Sequence, residues 1–277
     1  MTPSSAQIDH VVVPVDGSPF ADRALRPAQL LADRLHASLS VVTVVPVSGH
    51  ASSTGSTMTA EVLVGDDAGE TIGEYADQLT GSLVCMSTHG RGWPSSVFVG
   101  SAAAIVLTRT EAPIVLIGPN CHAGWKAEGS VMVGVDGHRG SEVILPDARA
   151  WASMLAMSLT VATVAEPAPA PLRPEHAHRL HGPQGDVDAY IANLVAPLKG
   201  TDVEVNGQVI WDPIGPAIGF RGFLVDDTHG AHGSNGLLAI GSHSHKRSPG
   251  VPLGQTALHI VHQSPVPVLV FPFPDQK

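Results

Sequence analysis

The chain has 277 residues, 43% of them apolar and 14% charged, enough to bury the cores of two ordinary domains and unlike the composition of a disordered chain. Its 15 Lys and Arg stand against 25 Asp and Glu, a formal charge of −10, so the surface repels polyanions and non-specific nucleic-acid binding is disfavoured. The longest apolar runs, such as Val266 to Phe271, fall far short of the roughly 18 residues that span a bilayer. No basic cluster precedes an apolar stretch in residues 1–10, and Cys85 and Cys121 have no C-x-x-C spacing. A cytoplasmic location is therefore expected, with two structural thiols and neither a disulfide scaffold nor a zinc ribbon. The 15 histidines would offset most of the negative charge near pH 6, which bears on solubility.

The first predicted strand, Val11-Val12-Val13-Pro14-Val15-Asp16-Gly17, returns as Val131-Met132-Val133-Gly134-Val135-Asp136-Gly137. The chain thus starts over near residue 130. Ser18 is placed to cap a helix with Pro19 at its first position, and Ala21, Ala24, Leu25, Ala28, Leu31, Ala32 and Leu35 recur at helical spacing. The second strand, Ser38 to Val44, returns as Ser158 to Val164. Between Pro46 and Ala60 lies a Ser/Thr/Gly-rich stretch that reads as a loop, so a crossover helix is expected to be missing there. The strand Leu83 to Met86 runs into the polar loop Ser87 to Pro94, a helix starts at Gly100-Ser101, and Pro113 to Ile117 closes the copy.

In the second copy, Ile144, Ala148, Trp151, Met154 and Leu155 mark the first helix. A Pro/His-rich loop, Pro167 to Pro183, is followed by a predicted helix from Asp186 to Leu198 and a strand near Val203 to Val209. The strand Leu237 to Ile240, the loop Gly241 to Ser248, a helix from Gly254-Gln255 and the strand Val266 to Phe271 complete it. Strands alternating with helices predict an α/β fold with parallel strands and crossover helices. The expected boundaries are a domain over residues 1–120, a linker over 121–128 and a domain over 129–277. The apolar closing strands, read as sheet edges, invite pairing with one another.

Ligands of open parallel sheets sit beyond the carboxyl ends of the strands. Asp16, Asp136 and both polar loops fall at that edge, and the glycines at the starts of the final helices let backbone N–H groups approach an oxyanion. The outline is a phosphate cradle without P-loop spacing.

The spacing resembles the nucleotide motif of universal stress proteins, G-x2-G-x9-G-[ST]. The first copy reads Ser87-x2-Gly90-x9-Gly100-Ser101 and the second Gly241-x2-Ser244-x9-Gly254-Gln255. Together with the V-P-V-D-G-S and A-P-I-V-L-I segments, the resemblance covers nearly the whole chain in two tandem copies. It implies two doubly wound, five-stranded parallel domains of the adenine nucleotide α-hydrolase-like, Rossmann-like kind, binding ATP or a related adenine nucleotide, with room for Mg2+ on the phosphates. By resemblance, Asp16 and Asp136 contact the ribose. Pro14, or Gly134 in the second copy, borders the adenine, Val15 belongs to the same site, and Val44 and Val164 line the base pocket. Met86 and Ser87, or Ile240 and Gly241, close the site beneath the nucleotide. The phosphates fall to Gly90, Gly100, Ser101 and Ala102 in the first copy and to Ser244, Gly254, Gln255 and Thr256 in the second. The resemblance also implies domain pairing through the last strands, within the chain or in a homodimer.

Each copy departs from the motif. Ser87 replaces one glycine, Ser244 replaces another, and Gln255 stands for the hydroxyl residue. These departures motivate a second reading, a nucleotide-free protein whose fold serves assembly. Plainer roles also compete: Asp16 and Asp136 as caps, Gly100-Ser101 as a tight helix start, Arg91, Lys246 and Arg247 as solvated charges, and Trp93 and Trp211 as packing residues. His176, His178, His181, His229 and His232 lie on no helix face that would make a metal site. No nucleophile with an adjacent base emerges, so the expectation is a regulatory binding module, with ATP hydrolysis slow at most.

Overall fold

The computed structural model describes residues 7–48, 60–88, 99–165, 184–211, 236–241 and 253–271. The first half supplies β1 (His10–Pro14), α1 (Leu25–Leu35), β2 (Ser38–Val45), β3 (Glu61–Val64), α2 (Ala68–Gln78), β4 (Ser82–Ser87), α3 (Ser101–Arg109) and β5 (Ile114–Ile117). The second supplies β6 (Ser130–Gly134), α4 (Arg139–Glu142), α5 (Leu145–Met154), β7 (Ser158–Ala165), α6 (Gln184–Val195), β8 (Val205–Trp211), β9 (Leu237–Gly241), α7 (Gln255–Gln263) and β10 (Val268–Phe271).

The strands form one ten-stranded sheet in the order β3-β2-β1-β4-β5-β10-β9-β6-β7-β8. Pairing is parallel within each half and antiparallel where β10 meets β5, with Leu269 opposite Val115. In each half the order reverses beside the first strand, so right-handed crossovers place helices on both faces. Burial on both faces explains why these strands read as aliphatic runs rather than alternating patterns. Val11, Val12 and Val13 are fully buried, as are Val115 and Leu116 of β5 and Leu269 and Val270 of β10. The closing strands, expected at an edge, lie at the centre of the sheet because each supplies the other's missing neighbour.

The duplication extends to backbone detail. Gly17 and Gly137, after the first strand of each half, have φ of 75° and 81°, a region glycine enters without a Cβ clash. His36 and Ala156, each following the first long helix of its half, both adopt left-handed φ, 55° and 52°.

The residues between the halves are tied to both. Arg23 donates to the carbonyls of Pro119 and Cys121 at 3.0 and 2.9 Å, while Asn120 Nδ2 donates to the His262 carbonyl at 2.7 Å. Trp125 is 1% exposed and its indole N–H donates to the Gly236 carbonyl at 2.7 Å.

Several boundaries differ from the sequence expectation. Ser18 does not open an α-helix: its hydroxyl accepts the Ala21 amide at 3.2 Å and heads a 3-10 turn, Ala21–Ala24, after which α1 begins at Leu25. The strand expected near Val203 to Val209 runs from Val205 to Trp211, which places Trp211 at a strand end. The helix expected from Asp186 to Leu198 is α6 followed by a 3-10 turn, Ala196–Leu198. Most of the Ser/Thr/Gly-rich stretch, the whole of the Pro/His-rich loop, and Gly90 and Ser244 lie outside the described residues.

Candidate functional site

In the first half, β1 and β4 are neighbours although β2 and β3 intervene in sequence. Such a reversal of strand order opens a crevice at the carboxyl ends of the strands. A cavity of about 230 Å³ lies there, lined by Pro14, Val15 and Asp16 after β1, Val44 on β2, Met86, Ser87 and Thr88 at the end of β4, and Gly100, Ser101 and Ala102 at the start of α3. Nine residues expected from the sequence thus line one cavity. Ala21, Ala68, Ile72, Thr88 and Ala103 complete the wall and were not expected. Thr88 and Ala103 adjoin motif residues, whereas Ala68 and Ile72 arrive on α2, whose packing no local motif announces.

The walls differ in chemistry. Val15, Val44, Ile72 and Met86 form an apolar side, and Ser87, Thr88 and Ser101 bring hydroxyls. Asp16 Oδ1 accepts the Ser18 amide at 2.9 Å, which turns the chain back over the end of β1. The N-cap of α3 is Gly100, with φ −57° and ψ 155° and no side-chain cap. The first amide bonded within the helix is that of Ala104, to the Gly100 carbonyl at 2.9 Å. The amides of Ser101, Ala102 and Ala103 therefore precede the helical ladder, at the positive end of the helix dipole and beside the cavity. The other helix at this cavity, α2, is capped by Asp67, whose Oδ1 accepts the Glu70 amide at 2.9 Å. Carboxylates thus occupy the start of α2, leaving the start of α3 as the anion-accepting side.

The second half places its expected residues at the corresponding edge. Gly134 ends β6, Asp136 follows it, Val164 lies near the end of β7, and Ile240 and Gly241 end β9. Gly254 caps α7 with φ −63° and ψ 158°, close to the values at Gly100, and Gln255 and Thr256 open the helix. A side-chain carbon added at Gly254 would meet nothing within 4 Å. Asp136 Oδ1 accepts the His138 amide at 3.1 Å, as Asp16 accepts that of Ser18, and also the Ser141 hydroxyl at 2.6 Å. Tyr190 on α6 accepts the Gly137 amide at 3.2 Å and donates to Glu142 at 2.8 Å. Burial, reinforced by the Glu142 carboxylate, pushes the Tyr190 phenol well above its ordinary range. Neither Asp16 nor Asp136 caps one of the long helices; each closes a turn just after its strand.

The universal stress protein family model matches residues 7–62 and 50–118. The first half of the chain, over residues 7–118, is thus similar to a universal stress protein domain in sequence, and the second half repeats its order of strands. Among solved structures, a universal stress protein from Archaeoglobus fulgidus is similar over 97% of this chain and 98% of its own, with TM-score 0.60 and 17% identity. A putative universal stress protein from Pseudomonas aeruginosa is similar over 97% and 94%, with TM-score 0.59 and 15% identity. At these identities the likeness shows the fold, the doubly wound α/β architecture of the family. A comparison with curated proteins returned no match. Among the described residues no helix is long and apolar enough to cross a membrane, and no group of three or more His, Cys, Asp or Glu side chains comes together as a metal site.

Proposed function

We propose that this chain is a universal stress protein that binds an adenine nucleotide, ATP in the first instance, in the cavity of its first half and works as a regulatory module rather than a metabolic enzyme. The observation that carries the reading is that a carboxylate at the end of β1, an apolar wall from β2, α2 and β4, and the uncapped start of α3 border a single cavity. In this reading the base packs on Val15, Val44, Ile72 and Met86, Asp16 accepts the ribose hydroxyls, and the phosphates meet the amides of Ser101 to Ala103. A cavity of about 230 Å³ is below the ~300–1,000 Å³ usual for drug-sized ligands; it takes the nucleoside, and the phosphates run past the start of α3. Mg2+ enters only with those phosphates.

Hydrolysis is slow at most in this reading, because the described cavity lining carries one carboxylate, already turned toward the Ser18 amide, and no base beside a nucleophile. Pairing of the two halves through β5 and β10 stands in for pairing between chains, and light scattering at low concentration would report any further homodimer. A cytoplasmic setting fits this reading.

The test is to purify the protein without added ligand, denature it, identify any released nucleotide by mass spectrometry, and titrate ATP by calorimetry into the wild type and Asp16→Ala. Release of an adenine nucleotide and at least ~10-fold weaker binding by the variant, about 1.4 kcal/mol, are expected. No release and no heat on adding ATP would move the reading to the nucleotide-free assembly protein.

A further inference from the structure

The first-strand loops of the two halves can be compared position by position, because the V-D-G segments correspond. Ser18 corresponds to His138 and Ala21 to Ser141. Both aspartates accept the amide two residues on, through Oδ1, at 2.9 Å in the first half and 3.1 Å in the second. The difference lies at the next position. Ala21 lines the first cavity with a methyl group that has nothing to donate. Ser141 is 8% exposed, and its hydroxyl donates to Asp136 Oδ1 across 2.6 Å, with the His138 carbonyl 2.8 Å away. The same hydroxyl oxygen accepts the Asp136 amide at 3.2 Å. The chain therefore already offers the Asp136 carboxylate a buried alcohol, the group through which a sugar would approach it.

Two further contacts hold the loop in that state. The His138 ring nitrogen Nδ1 lies 3.4 Å from Asp136 Oδ1. Tyr190 joins Gly137 to Glu142, the two ends of the segment that carries Ser141. The helix bearing Tyr190 lies between the second and third strands of its half, where no helix is found among the described residues of the first.

We infer that Ser141 is an internal stand-in for a ligand hydroxyl on Asp136, so that the chain takes nucleotide in its first half alone and Ser141 is the residue that excludes it from the second. The inference rests on the nucleotide reading of the first cavity. A carboxylate oxygen already receiving a charge-assisted hydroxyl bond at 2.6 Å gains little by exchanging it for another alcohol, and the exchange must also release a buried serine.

Binding stoichiometry tests this. ATP is titrated by calorimetry into the wild type, Asp16→Asn, Ser141→Ala and the double variant, with circular dichroism to check folding. The expected values are about one nucleotide per chain for the wild type and about two for Ser141→Ala. Asp16→Asn should weaken binding at least ~10-fold, with no tight site left, and the double variant should recover about one site. Two sites in the wild type with one surviving Asp16→Asn, or a folded Ser141→Ala still binding one, would each overturn the inference and leave the first-half reading standing; a single wild-type site that survives Asp16→Asn would overturn both. No binding to the wild type overturns both. If Ser141→Ala does not fold, Ser141→Cys, which keeps the size of the side chain and offers only a weak donor, takes its place with the same expected gain of a second site.

Discussion

The amide of Gly100 donates to the carbonyl of Thr88 across 2.6 Å. Thr88 is in turn held by its own amide, which donates to the Ile117 carbonyl at 3.1 Å. The start of α3 is thereby fastened to the ends of β4 and β5. Backbone angles of −57° and 155° at Gly100 are open to any residue. Gly100→Val should therefore leave the fold intact while placing two methyl groups where the proposal puts phosphate. Affinity for ATP is expected to fall at least ~10-fold, about 1.4 kcal/mol, with the thermal midpoint shifted by only a few degrees. Unchanged affinity in a calorimetric titration would remove the phosphates from this end of the cavity.

Gly69 tests the scaffold behind the same helix. A side-chain carbon there would lie 2.5 Å from Ile105 Cβ and 2.8 Å from the Ala102 carbonyl, so α2 and α3 touch through this glycine. Gly69→Ala should cost about 1–3 kcal/mol, the usual penalty of overpacking, and weaken ligand binding by displacing Ala102. Urea denaturation gives the first number and titration the second; a neutral substitution would mean that α2 can move away freely.

Arg23 and Trp125 anchor the segment between the halves. Arg23→Ala leaves the Pro119 and Cys121 carbonyls without their guanidinium donor, with an expected loss of about 1–3 kcal/mol. Trp125→Ala empties a site that is 1% exposed and strips the Gly236 carbonyl of its indole partner, which should cost about 3–5 kcal/mol. Denaturant midpoints of the two variants should rank in that order.

The thiols set an alkaline limit. Burial pushes Cys121 up to about 11 and Cys85 higher still. A folded thiol that holds its proton more tightly than the unfolded one contributes stability in full below the unfolded value, near 9, and loses it as pH rises through the folded value. Denaturation midpoints should therefore fall between pH 9 and 11. A thiol reagent near pH 8 should modify both cysteines rapidly only after unfolding, and rapid reaction of the native protein would contradict their burial.

Much of this arrangement was legible in the sequence because the repeat repeats its chemistry. The V-D-G segments fixed where Asp16 and Asp136 fall, and the Gly100 and Gly254 positions marked both helix starts with matching backbone angles. Other features were not legible, for reasons that are tertiary. Ala68 and Ile72 reach the cavity through the packing of α2, and an alanine and an isoleucine carry no mark of a ligand. The 3-10 turn after Ser18 was hidden because its alanines satisfy either helical spacing. Most telling is the pair Ala21 and Ser141: the difference is plain in the sequence, but its meaning depends on a hydroxyl aimed at Asp136, which only the folded loop reveals.

The matching angles at Gly100 and Gly254 also bear on the timing of binding. Two helix starts with different residues after them, Ser101 in one and Gln255 in the other, adopt the same approach from strand to helix. Their direction is thus a property of the folded scaffold and does not wait for a ligand to impose it. The entropy of ordering those amides is spent when the chain folds, so an anion arriving at the start of α3 meets a finished surface, and its capture should follow a single concentration-dependent phase with no slow rearrangement behind it.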